Sequence, residues 1–266
     1  HEKADGPSGP VVLGNADYRY TVSGENWGTL PDGWNYREAT AVAVDQQDRV
    51  FVFNRGTSPI VVFDTDGNMI DSWGEGIFKS PHGISFDSDG NLFLVDNGDS
   101  TVRKFTPSGE LLMTLGEPNM PSPPMSGIPF CVPTHVAVDP SSGEFFVSDG
   151  YTNAVVHRFS PDGDLISSWG ESGTDPGQFN IVHNISIDSA GFLYVADREN
   201  HRIQVFNQDG EFQTQFVNMS RTAAIHIDTR GDEDIVYIGE YFSGIGSNHM
   251  GFNLGPRVTV MNTKGE

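Results

Sequence analysis

The chain has 266 residues, with 36 aspartates and glutamates against 15 lysines and arginines, so its formal net charge at pH 7 is −21. A surface this acidic repels phosphate backbones, so nucleic acid is not an expected partner. No stretch approaches the roughly 18 consecutive apolar residues of a membrane-spanning helix, so no membrane span is expected. Cys131 is the single cysteine, which excludes an intramolecular disulfide.

The charge suits a secreted protein or one from a salt-adapted organism, and a general need for solubility explains it equally well. Secreted, periplasmic and cytoplasmic locations therefore all stay open.

The first predicted element is a strand over residues 17–22, which follows an N-terminal extension over residues 1–15. We assign residues 16–266 to one domain. Five copies of a four-strand repeat follow, beginning near Thr40, Pro81, Val132, Ile181 and Thr222. In the clearest copy the alternating apolar runs predict strands over residues 184–188, 192–197, 202–206 and 212–216.

Sequence signals for turns lie between the predicted strands of the copies. Asp-Gly pairs at 66–67, 89–90, 162–163 and 209–210 indicate hairpin turns. An aspartate recurs at one register of every copy: Asp45, Asp87, Asp139, Asp188 and Asp228. Four-stranded units of about 40–50 residues are typical of propeller blades.

The repeat predicts an all-β fold, a six-bladed β-propeller of the NHL type. Five blades lie in the chain, and the N-terminal strand would be the outer strand of a sixth, closing blade. The alternative is that five blades close alone. We favour six, although an open ring would leave sheet edges unpaired.

Propeller geometry predicts which side chains share one face. The start of strand one and the end of strand two of each blade lie together near the central channel, where binding residues concentrate. His82 and His183 begin strand one in blades two and four, and Arg55, Tyr151 and Arg198 follow strand two in blades one, three and four.

Two histidines from alternate blades, joined by a third from blade six, would form a three-histidine site for zinc or another divalent metal, with one position open to substrate. The alternative is that both cap the inner strands by hydrogen bonding. His135, one position further along its strand, is expected to support the site. His226 is expected to be packed within a strand, and His157 and His201 to be exposed on outer elements.

These residues resemble a known family, the peptidyl-α-hydroxyglycine α-amidating lyases and their bacterial relatives. The likeness is close over about residues 38–215. The matching segments are residues 53–56, 81–84, 131–139, 147–153, 168–171, 176–179 and 195–200.

The resemblance implies two zinc ligands, His82 and His183, with the third in blade six. It implies that Tyr151 is the general base, and that Arg55 and Arg198 bind the substrate carboxylate and support the tyrosine. It also implies a structural calcium near the axis. The family's disulfide joins the Cys131 position to one that Thr152 occupies here, so that bond is absent.

We therefore expect a zinc-dependent lyase that cleaves the C–N bond of a peptide or small-molecule carbinolamide to give an amide and a glyoxylate-like product. A tyrosine hydroxyl is a weak acid, and neighbouring positive charge would let it act as a base near neutral pH. The main alternative is a non-catalytic NHL propeller that serves as a protein-interaction module. A lactonase-like calcium hydrolase is disfavoured by the histidine–arginine–tyrosine set, and an RNA-binding NHL domain by the acidic charge.

Overall fold

The computed structural model describes residues 11–15, 18–22, 27–242 and 255–266. Over these residues the protein consists of β-strands and one short 3-10 helix, Arg198–Asn200. Four antiparallel sheets of four strands and one of three strands succeed one another along the chain. The predicted all-β propeller is confirmed, with five blades present. In the described ranges no helix has the length and hydropathy to span a membrane.

The N-terminal hairpin consists of β1 (Val12–Asn15) and β2 (Tyr18–Thr21). Blade one consists of β3 (Ala39–Val44), β4 (Val50–Asn54), β5 (Ile60–Phe63) and β6 (Met69–Trp73). Blade two consists of β7 (Pro81–Phe86), β8 (Leu92–Asp96), β9 (Thr101–Phe105) and β10 (Leu111–Leu115). Blade three consists of β11 (Pro133–Val138), β12 (Phe145–Asp149), β13 (Val155–Phe159) and β14 (Leu165–Trp169).

A short parallel pair, β15 (Glu171–Ser172) and β16 (Gln178–Phe179), links blades three and four. Blade four consists of β17 (Val182–Ile187), β18 (Leu193–Asp197), β19 (Arg202–Phe206) and β20 (Phe212–Phe216). Blade five consists of β21 (Arg221–Asp228), β22 (Ile235–Tyr241) and β23 (Arg257–Asn262).

The recurring aspartate closes the turn between strands one and two. In blade one the Asp45 Oδ1 atom accepts the backbone N–H groups of Gln47 and Arg49 at 2.9 Å each. The Asp188 Oδ1 atom does the same in blade four for Ala190 and Phe192. Side-chain capping of this kind mimics a backbone turn, which explains the fixed register of the aspartates.

The core consists of apolar layers between consecutive blades. Phe51 and Phe53 of blade one pack with Ile84 and Leu94 of blade two, and equivalent clusters lie at the next three blade junctions. The innermost strands β3, β7, β11, β17 and β21 neighbour one another in that order, so their first residues gather around the channel.

The N-terminus differs from its prediction. Tyr18–Thr21 is a strand, but it pairs with Val12–Asn15 in a separate hairpin, which crosses the predicted boundary between residues 15 and 16. The hairpin touches blade five, where the hydroxyls of Tyr20 and Tyr237 lie 3.0 Å apart. Closure by a sixth blade stays a prediction.

Within the described residues, blade five has three strands, in the order β21, β22, β23. Its 262–266 turn repeats the turn that precedes strand four elsewhere: the Gly265 N–H donates to the Asn262 carbonyl, as Gly210 does to Asn207. His249, for which the sequence predicts no position, lies outside the described residues.

Two histidine predictions were wrong. His157 is fully buried rather than exposed. Its Nε2 atom lies 3.3 Å from Asp149 Oδ2, and its Nδ1 atom lies 2.7 Å from Ser168 Oγ. Gln204 contacts Asp197 in the same way in blade four, so this is a structural contact of the repeat. His226 lies in β21 as predicted, but its side chain is exposed.

Candidate active site

Buried carboxylates at the ends of the second strands position the site. The Asp96 carboxylate, at the end of β8, accepts the backbone N–H groups of Lys79 and Ser80 at 2.6 and 2.8 Å, just before His82. In blade four the Asp197 Oδ1 atom accepts the N–H of Asn180 at 2.7 Å. Both aspartates are inaccessible to solvent. These bonds fix the chain immediately before each site histidine.

The two histidine rings are held in one tautomer. The Nδ1 atom of His82 lies 2.7 Å from the Thr134 carbonyl oxygen, and that of His183 lies 2.7 Å from the Ala223 carbonyl oxygen. A carbonyl only accepts, so each Nδ1 atom carries the proton and each Nε2 atom presents a lone pair. Both carbonyls belong to the first strand of the next blade, so blade packing orients the rings.

The lone pairs of both rings converge on one hydroxyl. The Tyr151 oxygen lies 3.2 Å from the Nε2 atom of His82 and 2.9 Å from that of His183. The two imidazole centroids are 5.0 Å apart. The structure thus brings together three of the predicted site residues, which come from blades two, three and four.

Burial keeps both rings neutral. It lowers the pKa of His82 to about 4 and that of His183 to about 3. Nearby positive charge acts in the same direction, from Arg55 and Arg198 on His82, and from Arg198 on His183. At neutral pH these histidines are therefore electron-pair donors, which is the form that binds metals.

Arg198 places a positive charge beside Tyr151. Its guanidinium lies 5.3 Å from the Tyr151 ring centroid, and its Nη1 atom is 3.5 Å from the hydroxyl. The Nε atom donates to Glu199 Oε1 at 2.8 Å, and Arg221 bonds to the same carboxylate oxygen. Arg221 also stacks on the Tyr241 ring, 4.4 Å from its centroid. Arg198 is therefore held rigidly against Tyr151.

Arg55 lies at the rim of the site. Its Nη1 atom forms an ion pair with Glu38, and its Nε atom donates to the Pro81 carbonyl oxygen at 3.3 Å. Its charge lowers the pKa of His82, but no contact joins it to the Tyr151 hydroxyl. The structure thus brings Arg55 near the predicted site without placing it beside the tyrosine.

The donor set fits a divalent cation. A hydroxyl has one proton and can satisfy only one of the two imidazole lone pairs that face it, whereas a cation placed between the rings would take both. Within the described ranges no group of three His, Cys, Asp or Glu side chains could hold a metal. His82 and His183 therefore stay predicted ligands, as does the third histidine.

His135 lies next to this pair. Its side chain is partly buried, and its Nδ1 atom has no hydrogen-bond partner among the described residues. Burial and the neighbouring His82 lower its pKa to about 4. His135 is not part of a metal-binding group in the described chain.

Cys131 and Thr152 are in contact beside the tyrosine. The Thr152 hydroxyl donates to the Cys131 sulfur at 2.6 Å, and the cysteine is free and buried. A hydrogen bond therefore occupies the place where the resemblance puts a disulfide.

Sequence reasoning missed the residues that orient the site. Glu199, Arg221 and Glu38 hold the two arginines, and the carbonyls of Thr134 and Ala223 hold the two histidines. The only available signal was that Glu199 directly follows Arg198. A backbone carbonyl of the next blade that accepts a hydrogen bond cannot be recognised from the side chains in the sequence.

Comparisons with known proteins agree with this architecture. The NHL repeat family matches residues 78–105 and 179–206, in blades two and four. Among solved structures, a protein of unknown function from Bacteroides caccae superposes with a TM-score of 0.62 at 16% identity, over 94% of this chain and 82% of its own. An inactive virginiamycin B lyase from Staphylococcus aureus, solved with quinupristin, gives 0.56 at 14% identity, over 84% and 67%. These two likenesses show the fold.

Curated relatives are closer in sequence. Peptidyl-glycine α-amidating monooxygenase B of Xenopus laevis is 42% identical over 63% of this chain and 21% of its own length. Peptidyl-α-hydroxyglycine α-amidating lyase 1 of Drosophila melanogaster is 38% identical over 57% and 30%. NHL repeat-containing protein 3 of Homo sapiens is 34% identical over 63% and 51%.

The chain thus spans about a fifth of the monooxygenase, under a third of the fly lyase and half of the third relative. The resemblance found in the sequence is confirmed: NHL repeats match in blades two and four, and the homologues include the peptidyl-α-hydroxyglycine α-amidating lyases.

Proposed function

We propose that the protein is a metal-dependent lyase that cleaves the C–N bond of a carbinolamide, at its hydroxylated carbon, to release an amide and a glyoxylate-like product. One observation carries the proposal: two neutral imidazole Nε2 atoms converge on the Tyr151 hydroxyl at 3.2 and 2.9 Å, with Arg198 beside it. The amidating lyases among its homologues support the reaction class.

His82 and His183 would hold the metal through their Nε2 atoms. Zinc at this position would polarise the substrate hydroxyl and lower its pKa. The carbonyls of Thr134 and Ala223 fix both rings and make the ligand atoms more basic. The structural calcium implied by the resemblance stays a prediction without assigned ligands.

Tyr151 would move the proton. Its oxygen accepts the proton of the substrate hydroxyl, the C=O bond forms as the C–N bond breaks, and the proton passes to the departing amide nitrogen. The reaction then needs no net proton. Tyr151 enters this step as the phenolate, and the Arg198 guanidinium, 3.5 Å from its oxygen, would stabilise that negative charge before the proton arrives and again after it has left.

Arg55 and Arg198 would bind the substrate carboxylate. A guanidinium presents paired donors that match a carboxylate, so it fixes orientation as well as charge. Arg198 is already held by Glu199, whereas Arg55 would have to exchange Glu38 for the substrate. The peptidyl lyases among the homologues support a peptide substrate, and a small carbinolamide remains the alternative.

The test is glyoxylate release from an N-acyl-α-hydroxyglycine, measured together with metal content. Purified protein should bind one zinc and release glyoxylate. A Tyr151→Phe variant should keep the metal and lose about 100-fold or more in kcat, the usual contribution of a general base. A His82→Ala/His183→Ala variant should lose both metal and activity.

The control is His226→Ala, which removes an exposed histidine from blade five and should change neither readout. The competing function is a non-catalytic interaction module. The likeness to NHL repeat-containing protein 3 favours this alternative. Folded protein that binds no metal and releases no glyoxylate would overturn the lyase proposal and leave the interaction module as the remaining candidate.

A further inference from the structure

A cleft of about 480 Å³ opens between blades one and two, beside the candidate site. Arg37, Glu38 and Arg55 line it from blade one, and Phe78, Lys79 and Pro81 line it from blade two. The proposed chemistry uses only Arg55 of these six residues. The rest of the cleft is therefore available to recognise another part of a ligand.

The cleft is basic in an acidic protein. It gathers three cations and one carboxylate, although the whole chain carries −21. Glu38 is paired with Arg55, whereas Arg37 and Lys79 form no ion pair within the described chain. The Lys79 Nζ atom donates to a neutral amide oxygen, that of Asn119, at 3.1 Å. Among the residues that the structure describes, these two charges therefore have no counterion.

The cleft reaches the residue next to His82. Arg55 donates to the carbonyl of Pro81, the residue directly before His82. Lys79 is three residues from His82, which in an extended chain is at most about 10 Å. A substrate held at His82 and Tyr151 can therefore place a substituent between Arg37 and Lys79. Phe78 and Pro81 provide apolar surface for its aliphatic stem.

We propose that this cleft is an anion subsite that recognises an acidic side chain on the acyl part of the substrate. The inference rests on the proposed function and narrows its substrate class. It predicts preference for peptides with aspartate or glutamate shortly before the terminal α-hydroxyglycine. In a chain that otherwise repels anions, a local cluster of cations also attracts such a substrate to the site.

The test uses calorimetric binding of acetylated peptides that end in unmodified glycine and so are not cleaved. Glutamate is placed one, two or three residues before that glycine, and each peptide is matched with its glutamine counterpart. For at least one position the glutamate peptide should bind about tenfold more tightly, as expected for two weak charge contacts. The difference should shrink as NaCl is raised.

An Arg37→Gln/Lys79→Met variant should abolish the preference and leave binding of the glutamine peptides unchanged. The matched control is Arg230→Gln/Lys264→Met, which removes the same charge from exposed positions of blade five. Equal affinity for every glutamate–glutamine pair, no peptide binding at all, or equal loss in both variants would each overturn the subsite.

Glyoxylate release from the α-hydroxylated forms of the same peptides separates the two proposals. Turnover without acid preference would contradict the subsite alone. Acid-selective binding without turnover would contradict the lyase alone.

Discussion

At the scale of single residues, three histidines share the inner end of the propeller without carrying charge. Burial lowers the pKa of His82 and His135 to about 4 and that of His183 to about 3. In an unfolded chain the pKa of histidine is about 6.5. Between these values the unfolded chain binds protons that the folded protein does not. Folding stability therefore falls as pH is lowered from about 6.5 towards 4.

We expect metal-free protein to lose up to about 1.4 kcal/mol of unfolding free energy per pH unit for each of these histidines. Urea unfolding at pH 7, 6 and 5 measures the slope. A His135→Gln variant should be less sensitive to acid over this range, because one suppressed ionisation is removed. Parallel pH curves for the variant and the wild type would show that His135 is not among the groups responsible.

At the scale of elements, the site depends on close approach between strands of neighbouring blades. Gly150 directly precedes Tyr151, and a Cβ atom there would lie 2.0 Å from the Val182 carbonyl oxygen, next to His183. At Gly83, beside His82, a Cβ atom would lie 2.5 Å from the Thr134 carbonyl oxygen. These glycines let the backbones come close enough for the tyrosine and the histidines to meet.

Gly150→Ala should therefore destabilise the protein by about 1–3 kcal/mol, the range for overpacking a core. It should also weaken metal binding, because β17 and the tyrosine loop must separate. Chemical unfolding and metal titration give the two readouts.

Gly231→Ala is the matched control, since its Cβ atom would come no closer than 3.4 Å to the Glu233 carbonyl oxygen. It should stay within about 0.5 kcal/mol of wild type. A Gly150→Ala protein as stable as this control would show that the blades can move apart at no cost.

At the scale of the whole molecule, charge is distributed unevenly. The chain has 15 lysines and arginines, and five of them stand at or beside the candidate site: Arg37, Arg55, Lys79, Arg198 and Arg221. The remaining surface is strongly acidic, so the folded state is opposed by its own repulsion.

Raising NaCl from about 0.05 to about 1 M shortens the screening length from above 10 Å to about 3 Å. The melting temperature should rise by several degrees as repulsion among the carboxylates is screened. Scanning calorimetry at fixed pH provides the measurement. A melting temperature that falls with NaCl would mean that ion pairs such as Arg158–Glu144 outweigh the repulsion.

The sequence alone determined the blade pattern. Its period-two apolar runs, Asp-Gly turns and recurring aspartates are local signals, so the strands of blades one to four follow from them with small shifts at their ends. The same repeat placed His82, His183, Tyr151 and Arg198 near one another, because equivalent positions of a propeller share a face.

Only the tertiary structure decided the rest. It pairs the N-terminal strand in a hairpin, buries His157 and ties Arg55 to Glu38. Above all, it orients the ring of each site histidine through a hydrogen bond to a backbone carbonyl of the next blade. Such contacts join residues 40 or more positions apart in the chain. They use backbone atoms that every residue possesses, so no pattern of side chains in the sequence could predict them.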